Sequence, residues 1–157
     1  MTLPVQMHDP LLDVALWGLV IGLGLVVVFH LYWAAGGRKG ADAVIPRRPA
    51  EQGGEPLFHP SPIGTLSVAL FLLAVIGLGI VVQRGADITI PWRWLRLLLA
   101  ACGGVFVLRA IGEFRYVGFF KRVTGSRFAY WDTRLFSPFI LLIGIACLVI
   151  ALRGAGP

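Results

Sequence analysis

The sequence predicts an all-α membrane protein: four transmembrane helices in an up-down bundle, with both termini on the outer side. Three observations carry that expectation. The 157 residues are 57% hydrophobic and 14% charged, against roughly 45–50% and about 25% for a soluble domain. Four apolar windows, at about 11–35, 63–82, 95–113 and 135–152, approach the ~20 residues that cross roughly 30 Å of hydrocarbon. The basic residues are also unevenly shared between alternate loops. One side receives Arg38, Lys39, Arg47, Arg48, Arg115, Lys121, Arg122, Arg127 and Arg134, the other only Arg84, Arg93, Arg96 and Arg153. The richer side faces the cytoplasm by the positive-inside rule, so the loops 36–62 and 114–134 are cytoplasmic and residues 1–157 form a single domain.

The net charge of +6 does not call for nucleic acid, because the cations sit beside apolar segments, where orientation and lipid headgroups account for them. A secretory signal needs a basic start and a shorter apolar core, so the first segment reads as a retained span. Asp9 and Pro10 suit the N-cap and first turn of that span. Gly18 and Gly22 within it have the G-x-x-x-G spacing that lets helices approach closely, within this chain or between two copies. The loop 36–62 is dense in Gly and Pro, which excludes a long helix; Leu57, Phe58 and His59 point to a partly ordered cover. The second span has only Thr65 and Ser67 as polar groups near its start and reads as scaffold.

Trp92, Arg93, Trp94 and Arg96 form the aromatic and cationic mixture of a membrane boundary, here the outer one. On the inner side, Phe119, Phe120 and Trp131 interleave with Lys121 and Arg122 in a segment expected to lie in the headgroup layer. Ser137 and Pro138 could start the last helix, with Asp132 and Thr133 as an earlier alternative. Cys102 and Cys147 lie at similar depth in their spans; contact is open to them, but such thiols usually serve as small packing groups.

Ionisable groups within spans are rare and mark function or assembly. Arg109 and Glu113 are four residues apart, so on a continuing helix they share a face and pair, with Tyr116 further along it. Arg109 falls roughly 7 Å and Glu113 roughly 13 Å inward of the bilayer centre at about 1.5 Å per residue. His30 of the first span falls between them in depth, with Trp33 one turn later. The expected cluster joins His30, Arg109, Glu113 and Tyr116 under the first cytoplasmic loop, with Tyr32, Trp33, Arg115, Asp132 and Arg134 adjoining it. It serves either as a structural network or as a site for a small ligand or proton.

Several chemistries lack their residues. Bis-histidine haem needs two intramembrane histidines, and His8 and His59 fall outside the spans. A retinal Schiff base needs a lysine in the bundle, and Lys39 and Lys121 fall in loops. No G-x-S-x-G elbow, Walker loop, H-E-x-x-H helix or metal-ligand spacing occurs. No cofactor and no metal is expected.

Three blocks carry a resemblance: His30 to Gly37 (HLYWAAGG), Leu108 to Lys121 (LRAIGEFRYVGFFK) and Asp132 to Pro138 (DTRLFSP). Together they resemble the bacterial membrane proteins catalogued as domain of unknown function 3995. The resemblance spans nearly the whole chain and implies a small four-helix inner-membrane protein with no assigned activity; the charge bias places its termini in the periplasm. Glu113 departs from the Asp associated with the family's pattern. The function expected is an accessory or structural bundle, not an enzyme, whose partners are the lipid bilayer and a membrane protein or a second copy. The alternative is a small-molecule or lipid binding protein, or an isomerase-like enzyme, using His30, Arg109 and Glu113.

Overall fold

The computed structural model describes residues 9–85 and 89–154; His8 and Ile88 lie outside them. All named elements among these residues are helical: α1 (Pro10–Ala34), α2 (Ala41–Val44), α3 (Pro62–Arg84), α4 (Trp92–Ile111), α5 (Arg127–Trp131) and α6 (Ser137–Arg153). A π-helical turn, Asp132–Phe136, joins α5 to α6 without a break. Four helices are therefore long and apolar enough to cross a membrane: Pro10–Ala34, Pro62–Arg84, Trp92–Ile111 and Arg127–Arg153.

Local chemistry sets the helix ends. The Asp9 side chain accepts from the Leu11 N–H at 3.0 Å and Pro10 opens α1, as expected. At the other end the Gly36 N–H bonds the Trp33 carbonyl and the Gly37 N–H bonds that of Tyr32, the paired return of a Schellman cap. Ser61 caps α3 through the Gly64 N–H, and the Thr65 and Ser67 hydroxyls donate to the carbonyls of Ser61 and Ile63, four residues back.

The last span starts earlier than 135. Ser126 is its N-cap, accepting from the Ala129 N–H at 3.1 Å. Pro138 has no N–H to continue an ordinary ladder, and the widened turn before it, where the Ser137 N–H reaches the Asp132 carbonyl, lets the helix run on instead. Segment 127–131, expected flat in the headgroup layer, is thus the first turn of this long helix.

The core is formed by one face of each long helix, with Leu19, Leu23, Val75, Leu99 and Ile150 fully or almost fully buried. Helix α4 lies chiefly against α6, and α1 against α3 and then α6, with at most slight contact between α1 and α4. Gly103 and Gly144 face each other at the α4–α6 crossing, where a side chain on either would press on the other's carbonyl. A Cβ on Gly22 would meet Phe139 and Ile143 of α6, while one on Gly18 would meet nothing within 4 Å among the described residues, so only half of the G-x-x-x-G pair packs here. Cys102 and Cys147 are free thiols.

Side-chain bonds gather the start of α1, the end of α3, the start of α4 and the end of α6. Gln83 donates to Asp13 at 3.1 Å, Arg153 pairs with Asp9 at 3.5 Å, and Arg96 donates to the Gly154 carbonyl. The loop 36–62 is partly ordered: Arg48 and Leu57 N–H groups bond the carbonyls of Glu55 and Pro46, and α2 rests on α5, where Asp42 and Arg127 pair at 2.6 Å.

Candidate polar site at the basic end

Helix α4 stops at Ile111 because Gly112 turns out of it with φ of +91°. The chain then doubles back until Gly118, φ +89°, lies on Gly112. A Cβ on Gly112 would collide with the Val117 carbonyl, and one on Gly118 with the Gly112 backbone. Both glycines are therefore required twice over, by a positive φ and by contact. The Phe119 N–H bonds the Ala110 carbonyl at 2.9 Å, tying the returning strand of loop to the end of α4.

This return places three donors around one carboxylate, that of Asp132. Arg109 Nη2 lies 2.9 Å from Oδ1; the Gly118 N–H donates to Oδ2 at 2.8 Å and Lys121 Nζ at 3.0 Å. The Asp132 side chain has no exposed surface and that of Lys121 is 1% exposed. Lys121 also donates to the Gly118 carbonyl at 2.8 Å and to Thr133 Oγ1 at 2.7 Å, completing its three bonds. Buried charge of this kind persists only when paired and hydrogen-bonded. The network fastens the end of α4, the returning loop and the π-helical turn together.

Several expectations are corrected by this geometry. Arg109 pairs with Asp132, not Glu113, since Glu113 lies beyond the helix end and off its face. The Glu113 carboxylate instead accepts from the N–H groups of Tyr116 and Val117. Lys121, expected among headgroups, is turned inward. His30 donates Nδ1–H to the Val26 carbonyl at 2.8 Å and stacks edgewise on Trp33; among the described residues no hydrogen bond or ion pair joins it to Arg109 or Glu113.

The remaining residues take local roles. The Trp33 indole donates to the Lys39 carbonyl and the Tyr32 hydroxyl accepts from the Lys39 N–H. Arg115 lies over the Tyr116 ring and Arg134 over the Tyr130 ring. Trp94, Phe119, Phe120, Arg122 and Trp131 are exposed, and Trp92 is half-buried. Sequence reasoning missed the Gly118 amide and Thr133 altogether, and took Asp132 only as a neighbour of the cluster. The signal available was the pair Gly112 and Gly118 between half-buried Arg109 and buried Lys121.

Among the described residues no grouping of His, Cys, Asp and Glu could hold a metal. A family model described as "Protein of unknown function (DUF3995)" matches residues 23–147, a stretch that contains the whole Asp132 network. No curated protein and no solved structure matches the chain.

Proposed function

The chain belongs to the DUF3995 family, and we propose that it is a multi-pass protein of the bacterial inner membrane with an accessory or structural role. It is a single up-down four-helix bundle with periplasmic termini and the Asp132 network at its cytoplasmic end. The observation that carries the structural reading is the saturation of Asp132. Both oxygens are engaged, by two cations and an amide, and the side chain is fully buried. A general acid or base needs contact with its substrate, and this carboxylate has no surface on which to make one.

The bonds that gather alternate helix ends support the up-down order, and nine cations toward one end of the bundle against four toward the other support the orientation. Two experiments test the reading. Alkaline phosphatase fused after the last residue should be active, and inactivity there would reverse the orientation. Native mass spectrometry of the gently solubilised complex should retain a stoichiometric membrane protein or second copy; a bound small molecule with no protein partner would contradict the accessory role.

A further inference from the structure

The loop that returns from α4 presents apolar rings and unpaired cations side by side. Phe114 and Phe120 pair at 6.4 Å between ring centroids, yet they are 56% and 64% exposed. Phe114 holds φ of +65°, a strained conformation that a bulky residue rarely adopts. No packing of the ring within the protein offsets that strain, since the ring it meets is itself exposed.

Beside the rings, the Arg122 and Val123 N–H groups both bond the Arg115 carbonyl, at 3.2 and 2.9 Å, so Arg115 and Arg122 sit on adjacent backbone at the neck of the loop. Both side chains are exposed. The Arg115 guanidinium lies over the Tyr116 ring, 5.1 Å from its centroid, and neither guanidinium has a carboxylate partner among the described residues. The nearest acid in sequence, Glu113, is taken up by two backbone amides. Two adjacent like charges repel unless an anion lies between them.

We propose that this neck binds the headgroup of an anionic phospholipid. Arg115 and Arg122 hold its phosphodiester, and Phe114 and Phe120 enter the acyl boundary next to it. The chemistry fits because guanidinium groups match phosphate oxygens, and exposed rings beside cations belong at that depth of a bilayer. Anionic headgroups are preferred to choline ones because the choline ammonium would face the arginines. The proposal rests on the membrane placement but not on its orientation.

The test uses the full chain in nanodiscs of phosphatidylcholine alone and of phosphatidylcholine with phosphatidylglycerol. Lipid retained on the protein after release is weighed by native mass spectrometry. At about 1 kcal/mol per arginine, Arg115→Gln with Arg122→Gln should weaken phosphatidylglycerol retention about tenfold to thirtyfold, and Phe114→Ser with Phe120→Ser should weaken it as well. Arg38→Gln with Arg48→Gln, an equal loss of charge in the other loop, should leave it near the wild-type level. Undiminished retention in both loop variants overturns the proposal. So does an equal loss in the Arg38 and Arg48 variant, or displacement of the lipid by inorganic phosphate at matched ionic strength. Nanodiscs expose both leaflets, so a reversed orientation in the phosphatase assay leaves this result readable.

Discussion

Arg109 Nη2 of the third span lies 2.9 Å from Asp132 Oδ1 of the fourth, and the other oxygen of that carboxylate is 3.0 Å from Lys121 Nζ. One acid thus serves two cations from different segments, which makes it the most sensitive position in the network. Asp132→Asn leaves Lys121 charged and buried, a change expected to cost roughly 3–5 kcal/mol. Lys121→Met leaves Asp132 with Arg109 and the Gly118 amide and should cost less, about 1–3 kcal/mol. Unfolding in detergent, followed by circular dichroism, ranks the two, and the opposite order contradicts the arrangement.

Arg109 and Glu113 share no bond and no partner. Their substitutions, Arg109→Met and Glu113→Gln, should add to within about 0.5 kcal/mol when combined. A double variant much more stable than the sum would restore a helical pair between them and remove Asp132 as the partner of Arg109.

The contact of Gly112 with Gly118 is backbone on backbone, with no flexible side chain to give way. Gly118→Ala and Gly112→Ala should each cost at least about 2–3 kcal/mol, from the positive φ and the collision together. Gly104→Ala in α4, where a Cβ meets nothing within 4 Å, should be neutral or stabilising by up to about 1 kcal/mol. Similar melting temperatures for all three would show that the loop does not return as described.

The crossing of α4 on α6 tests packing at the helix midpoints. Gly144→Leu presses on the Gly103 carbonyl and on Val107 and should destabilise by about 1–3 kcal/mol or more. Gly18→Leu, at an exposed position of α1 where a Cβ meets nothing within 4 Å among the described residues, should leave the monomer's stability unchanged, and any loss of a cross-linked dimer in that variant would assign Gly18 to contact between copies.

The four spans and the Asp9 cap were legible in the sequence because they depend on local facts: long apolar runs, and a carboxylate beside a proline. The partner of Arg109 was not, since helical spacing was carried through Gly112. That helix ends there because Gly112 turns out of it at positive φ and packs on Gly118, and the glycine pair was the one sign of it in the sequence. Lys121 read as a headgroup residue from its aromatic neighbours, and the same return of the chain turns it inward. Ser137 and Pro138 read as a start, and the π-helical turn before them makes that position the interior of a helix. His30 was placed in the cluster on expected depth alone, and its side chain bonds the Val26 carbonyl of its own helix instead, because helix adjacency is set by packing rather than by depth.

The most direct measurement of the central claim, that Asp132 is a structural fastening, is a double-mutant cycle between Asp132 and Lys121. Stability in detergent is compared for the wild type, Asp132→Asn, Lys121→Met and the double variant. The buried pair predicts a double variant more stable than the sum of the singles by at least about 1 kcal/mol, because removing both charges leaves neither stranded. Strict additivity, or a double variant worse than the sum, would contradict it.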